Sequence, residues 1–234
     1  MFSRPNYSEL HHFLNPRLGP WTVDIYLHRK PILDAVHDSV PVLNGKLLDV
    51  GCGQKPYASI LKCETHIGID LASSPNNTGK FDLTFDGLHI PFNDSEFDSV
   101  LCTEVIEHSR NPLALMKEIA RVLKSSGHAL VTVPFFIHHH EEPFDYWRLT
   151  RYGMEQLASD ANLDIVWLRA RRGVYSTALA AFYLALQTTL SRRPLIDLIL
   201  WVLWPVTFVV IKIENLRKRV PVITLGWQML VRKR

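Results

Sequence analysis

Residues 46–53 read KLLDVGCG, a short apolar run that ends in glycines. A strand covered on both faces is apolar throughout, and glycines let it turn sharply where it leaves the sheet. Four further segments have strand character: THIGID (65–70), KFDLTF (80–85), FDSVLCT (97–103) and HALVTVPF (128–135). Loops or helical stretches lie between them. The clearest is PLALMKEIARVLKSSG (112–127), with Pro near its start, Gly just past its end, and Leu113, Met116, Ile119, Ala120 and Leu123 on one face. Strands that alternate with helices require right-handed crossovers, so the expectation is an α/β fold with a doubly wound parallel sheet. LDIVWLR (163–169) and VITLGWQMLV (222–231) add two late strands. Ahead of the sheet, residues 21–43 have the spacing of an amphipathic helix through Trp21, Ile25, Ile32, Leu33 and Val36, which Pro31 is expected to interrupt.

In an open α/β sheet, ligands bind beyond the carboxyl ends of the strands. Asp49, Gly51 and Gly53 fall at that end of the first strand, and Asp70 at that end of the second. Glycine lets a backbone approach a ligand where a Cβ would collide. An acid in the place of Asp70 can accept two hydrogen bonds from a ribose diol. A pyrophosphate-binding turn wants G-x-G-x-x-G opening into a helix, whereas this chain continues GCGQKPYAS. Lys55 and Pro56 stand where a third glycine would help packing, and Pro56 has no amide to hold phosphate. A nucleoside therefore suits the loop better than a dinucleotide. Taken alone, the glycine loop fits a tight turn in an ordinary α/β domain equally well.

The ordered series LLDVGCGQKPY, GIDL, DLTFDGLHIPFNDSEFDSVLCTEVIEH and NPLALMKEIARVLKSSGHALVTVPF resembles class I S-adenosylmethionine-dependent methyltransferases over roughly residues 40–170. It is most similar to a bacterial subgroup with GCGxKPY and a later H-x-x-P-x-D-Y-W-R-x-T, present here as HEEPFDYWRLT (140–150). The resemblance implies a seven-stranded Rossmann-like sheet and S-adenosyl-L-methionine as cofactor. Carried over by position, Asp49, Gly51, Cys52 and Gly53 would frame the methionine end of the cofactor. Asp70 would hold the ribose hydroxyls, with Leu71 beside the adenine. Asp86 and Gly87 would meet the adenine amino edge, and Cys102, Thr103 and Glu104 would line the floor after the fourth strand.

Methyl transfer from a sulfonium is an in-line displacement that needs an aligned nucleophile and, for a hydroxyl acceptor, removal of a proton. Two segments supply candidates. TEVIEHS (103–109) is expected to start a helix, with Glu104, Glu107 and His108 on one face; IHHHEEPFDYWRLT (137–150) carries His138, His139, His140, Asp145, Tyr146 and Arg148. Three readings stay open. Glu107 and His108 brace the helix while the histidine run is a solvated loop; or His108 or His140 is the catalytic general base; or Glu104, Glu107, His108 and His140 bind Mg²⁺ or Mn²⁺. The last pattern resembles some metal-assisted O-methyltransferases, but the subgroup resemblance alone does not imply a metal. Cys52, Cys63 and Cys102 lack C-x-x-C spacing, which argues against structural zinc and for small buried hydrophobes.

The 234 residues carry 26 Lys+Arg against 23 Asp+Glu, a balance that hides an asymmetry. Residues 164–234 hold 12 basic residues and only 3 acidic ones. Within them, VYSTALAAFYLALQTTL (174–190) and LIDLILWVLWPVTFVVI (195–211) are strongly apolar. At seventeen residues each they fall short of a bilayer core, and Asp197 and Pro205 weaken the second as a span. The expected organisation is an N-terminal helical segment (1–45), a cofactor-binding core (46–172), an apolar helical insertion (173–220) and a last strand returning to the core (221–234). Basic flanks at RARR (169–172) and KIENLRKR (212–219) suit an anionic membrane surface. The acceptor would then be lipid-linked, a glycolipid or a polysaccharide precursor, and methylation would fall on oxygen. Alternatives are a cytosolic small-molecule methyltransferase with a hydrophobic lid and a non-catalytic cofactor-binding membrane adaptor. Sparse cysteines and a first stretch without an apolar core suggest a cytoplasmic protein, peripheral or monotopic on the membrane. Basic residues grouped around apolar runs are not the pattern of a nucleic-acid groove.

Overall fold

The structure, a computed structural model, describes residues 11–72, 81–189, 193–216 and 220–234. Seven strands form one sheet: β1 (Lys46–Val50), β2 (Thr65–Asp70), β3 (Leu83–Thr84), β4 (Phe97–Thr103), β5 (Leu123–Pro134), β6 (Leu163–Arg171) and β7 (Gly226–Lys233). Their order is β3-β2-β1-β4-β5-β7-β6, with β1 parallel to β2 and β4, β2 to β3, β4 to β5, and β7 antiparallel to β5. The chain winds outward from β1 and then returns beside it as β4, so the carboxyl ends of β1 and β4 diverge into a crevice. The middle strands are apolar because both faces are covered. Leu47, Leu48, Val50, Val100, Leu101, Leu130 and Val131 are fully buried. The doubly wound Rossmann-like sheet expected from the sequence is present, with an antiparallel last strand.

The helices are α1 (His11–Leu14), α2 (Val23–Ser39), α3 (Pro112–Val122), α4 (Arg151–Asp160), α5 (Val174–Thr189) and α6 (Arg193–Asn215). Two boundaries differ from expectation. α2 runs through Pro31 without a break; Leu27, Ile32, Leu33 and Val36, all buried on either side of the proline, hold the two halves in line. α3 begins as predicted, with Asn111 Oδ1 accepting from Ala114 N at 3.1 Å and Pro112 in the first turn, but it stops at Val122. Leu123 is already extended and pairs with Phe97, and Lys124 reaches Asp98 at 2.7 Å. Gly127 is not a helix terminator. It lies in β5, where a Cβ would come within 2.9 Å of Asp98 O. The third strand is shorter than predicted, and residue 80 at its expected start lies outside the described residues.

The chain divides into two compact units, Asp34–Arg169 with Gly226–Arg234 and Met1–Leu33 with Ala170–Leu225. The first holds the site described below. In the second, α6 is longer than the apolar run suggested. Its 23 residues make a rod of about 34 Å, and residues Pro194–Asn215 are apolar enough to cross a membrane. Leu198, Trp201, Val202, Val206, Phe208 and Val209 on this helix are 46–65% exposed. Asp197 is not a bare charge: Trp21 Nε1 donates to its Oδ1 at 2.9 Å, and the Trp21 ring meets Trp201 edge-on. Glu214 accepts from Gly173 N, Ser176 N and Ser176 Oγ, which places an acid at the first turn of α5. The RARR flank departs from its expected role. Arg171 is fully buried and Arg169 pairs with Asp38 at 2.6 Å, so neither is a spare charge for an anionic leaflet. Of the other basic flanks, Lys212 lies in the last turn of α6 over the Phe208 ring, whereas residues 190–192 and 217–219 lie outside the described residues.

Candidate active site

The first rim of the crevice is made at the ends of β1 and β2, mainly by backbone. Gly51 turns the chain directly after β1 with φ +64°, and a Cβ there would lie 2.3 Å from Val105 Cγ2. Gly51 N and Cys52 N both donate to Ile69 O, stitching the loop to β2. Gly53 N donates to Asp70 Oδ2 and Leu71 N to Asp70 Oδ1, each at 2.7 Å. A carboxylate has about four acceptor positions, so the buried Asp70 keeps capacity on both oxygens for a diol. Gly87 and Leu71 are neighbours, since a Cβ on Gly87 would come 3.2 Å from Leu71 Cδ2. Asp86 is largely committed to its own turn: it accepts from Leu88 N, His89 N and His89 Nδ1, and the His89 bonds, first among these, hold its carboxyl down at about 2. One acceptor position remains for an amino group.

Asp49 and Cys52 sit beneath this rim. Asp49 Oδ2 lies 3.0 Å from His66 Nε2, and burial pushes its carboxyl up against the pull of His66. Burial likewise raises the thiols of Cys52, Cys63 and Cys102, so none is an activated nucleophile. No motif in the chain signals what Lys55 does here. Its Nζ bonds His66 O at 3.2 Å and the Asp82 carboxylate, which also accepts from Gly68 N. Lys55 thereby ties the glycine loop to β2 and to the approach to β3.

The second rim, at the ends of β4 and β5, is made by side chains. Glu104 follows β4 with φ +58°, and the chain makes a single 3₁₀ turn at Ile106–His108 instead of the predicted helix. Glu104, Glu107 and His108 therefore share no helical face. Glu104 turns to β5, its amide bonded to Thr132 O and its Oε1 accepting from Thr132 Oγ1 at 2.8 Å. Thr103, the last residue of β4, is half-buried beside it and pairs with Thr132. Glu107 is 1% exposed, and its Oε1 lies 3.8 Å from His108 Nε2 and 4.0 Å from His140 Nε2. The two imidazoles meet edge to face with centroids 4.8 Å apart. His108 Nδ1 is 2.9 Å from Phe144 O, and His140 Nδ1 is 3.3 Å from His138 O and 3.4 Å from Asp145 Oδ2. A ring nitrogen beside a carbonyl carries the hydrogen, so in its neutral form each ring turns the Nε2 lone pair toward Glu107. Burial and the neighbouring His108 pull His140 below its ordinary value. His138 and His139 remain exposed, so His140 alone of that run joins the rim.

The segment 140–150 is a strap over this turn. Tyr146 N and Trp147 N donate to Glu107 O, and Trp147 Nε1 donates to Ser109 O at 2.9 Å. Asp145 receives both Arg148 Nη groups, at 2.5 and 2.6 Å, and His140 N at 3.2 Å. Burial would raise the Asp145 carboxyl, but the guanidinium fork holds it at about 2. Thr150 Oγ1 ends the strap by capping α4. Phe135, Phe136, Ile137, Tyr146, Trp147 and Arg148 line an open cleft of about 300 Å³ beside it.

Residues 48–131 match the family described as "Methyltransferase domain". An uncharacterized protein of Methanocaldococcus jannaschii is 38% identical over 92 residues, which cover 37% of this chain and 40% of that protein. A ubiquinone biosynthesis O-methyltransferase of Dechloromonas aromatica is 26% identical over 113 residues, 43% of this chain and 49% of the relative. The chain thus spans less than half the length of either. Among solved structures, a SAM-dependent methyltransferase from Archaeoglobus fulgidus has a TM-score of 0.55 at 14% identity, covering 87% of this chain and 94% of that one. The fold is the Rossmann-like fold of that methyltransferase structure, and residues 48–131 are similar to the methyltransferase domain family.

Proposed function

We propose that the protein is an S-adenosylmethionine-dependent O-methyltransferase acting on an acceptor presented at a membrane surface. The observation that carries the cofactor half is Asp70: a buried carboxylate at the end of β2, oriented by Gly53 N and Leu71 N, with acceptor capacity left on both oxygens. Gly51 makes the turn by leaving its Cβ space to Val105, Gly53 with φ +51° allows close approach of the methionine end, and Leu71 beside Gly87 suits an adenine face. When bound, the cofactor supplies an electrophilic methyl on a sulfonium. The second rim handles the acceptor. Its hydroxyl oxygen forms the new O–CH₃ bond as the S–CH₃ bond breaks, and the His108–His140 pair governs departure of the hydroxyl proton. The aromatic cleft of Tyr146 and Trp147 suits an acceptor with a flat or apolar body.

The exposed apolar face of α6 supports the membrane half of the reading. With Arg169 and Arg171 engaged within the protein, attachment rests on apolar burial more than on charge. A second reading, a cytosolic enzyme for a small molecule, is favoured by the size of the cleft, which suits a single ring system. Flotation with liposomes separates the two. Intact protein is expected to float, and protein with residues 174–211 replaced by a Gly/Ser linker to stay at the bottom. If the intact protein also stays down, the acceptor is a soluble metabolite.

A further inference from the structure

We propose that Glu107, His108 and His140 form a binding site for one divalent transition-metal cation at the second rim. Its catalytic purpose rests on the O-methyltransferase reading; the site itself does not. One donor atom from each residue lies within 4.8 Å of the other two. Donors that share an ion at about 2.0–2.1 Å sit roughly 3–3.5 Å apart, so closing this site needs each ring tip to move inward by no more than about 1 Å.

Three features point to an ion. The two Nε2 atoms converge on the same oxygen, Glu107 Oε1, from 3.8 and 4.0 Å. Both Nδ1 atoms are occupied from behind, by Phe144 O and by His138 O with Asp145, which fixes the tautomer and aims both Nε2 lone pairs inward. Asp145 is itself locked by the Arg148 fork, and the amides of Tyr146 and Trp147 hold Glu107 O. The strap thus supplies one ligand and outer support for all three. Glu141 Oε2, 3.9 Å from His108 Nε2, lies on the solvent side.

The donor set decides the metal. Glu104, engaged by Thr132 Oγ1, stands outside the cluster, so the four-ligand, oxygen-rich site suited to Mg²⁺ is not what the side chains make. Two imidazole nitrogens and one carboxylate suit Mn²⁺, Fe²⁺, Co²⁺, Ni²⁺ or Zn²⁺. Three protein ligands leave a position open. An acceptor hydroxyl bound there would release its proton to solvent and keep its lone pair for the methyl group, so the His108–His140 pair would govern that proton through the ion it holds.

The test uses the full chain, stripped with chelator and titrated with Co²⁺ while its visible absorption is followed, with S-adenosylhomocysteine binding measured in parallel by calorimetry. One Co²⁺ per chain is expected, with affinity at least about 100-fold weaker in H108A and in H140A, and not displaced by equimolar Mg²⁺. If H108A melts early, H140A decides, because His140 sits on the strap's more open side. No stoichiometric uptake, equal uptake in H140A, or displacement by equimolar Mg²⁺ overturns the proposal. S-adenosylhomocysteine binding without metal uptake sinks the metal site and leaves the methyltransferase reading; metal uptake without that binding does the reverse.

Discussion

The two rims of the crevice do neighbouring jobs with opposite materials. At β1 and β2 the positioning groups are amides: Gly53 N and Leu71 N orient Asp70, while Gly51 N and Cys52 N bind the loop to Ile69 O. At β4 and β5 they are side chains: Thr132 holds Glu104, Arg148 holds Asp145, and the strap aims His140. In the proposed reading, a rigid backbone rim suits a cofactor of one fixed shape, and a side-chain rim, which can be re-cut residue by residue, suits a variable acceptor.

The sharpest way to break that contrast is Asp70→Ala. Two hydrogen bonds to a charged acceptor, at about 1.5–3 kcal/mol each, correspond to a loss of roughly 100-fold or more in S-adenosylhomocysteine affinity. Calorimetry on the folded variant checks this, and unchanged affinity would remove the cofactor assignment; Asp145→Asn should leave that affinity within about threefold. Next comes Gly51→Ala, which combines a left-handed backbone with a 2.3 Å approach to Val105 and should cost more than about 2 kcal/mol in urea unfolding.

The side-chain rim should show itself through pH. Asp145 is held at about 2 in the folded protein, below its ordinary value of about 4. A depressed carboxyl contributes stability that is fully present above the unfolded value and is lost as pH falls through the folded one. The window is therefore about pH 4 down to 2, and the contribution about 2 kcal/mol at neutral pH. Melts of Asp145→Asn should be lower at pH 7 and flatter across that window; parallel curves for variant and wild type would mean the fork contributes nothing. Smallest is Val202→Asp with Val209→Asp on α6, which touches neither rim. Flotation should fall several-fold, with cofactor affinity intact, and raised salt should change the wild type little.

The same contrast explains what could be read from the chain. β1, β2 and β4 were legible because a parallel strand declares itself as an apolar run, and Asp70 because it follows one. The second rim was legible only as an inventory. Nothing in TEVIEHS announces that Glu104 adopts a left-handed conformation, since no glycine marks it, so a helix seemed the natural continuation. Gly127 looked like a helix stop because glycine ends helices and also lets strands approach; Asp98 O decides between them. α6 outran its apolar core because Glu214 finds the first turn of α5, a partner 38 residues away in the chain. RARR looked like a surface cluster until β6 buried Arg171. In each case the deciding partner is distant in sequence.

The position of β7 has a consequence for synthesis. It lies between β5 and β6 in the sheet but follows them both in the chain, after α5 and α6. Until residues 226–233 leave the ribosome, β5 ends in an open row of amides and carbonyls and β6 has no neighbour on that side, while an apolar helix pair is already exposed. The nascent chain thus passes through a stage with a bare sheet edge and a sticky hairpin together. Leu225 N and Thr224 Oγ1 both bond Arg171 O, so the end of the excursion is clasped to its beginning and β7 is delivered next to β6 with little search.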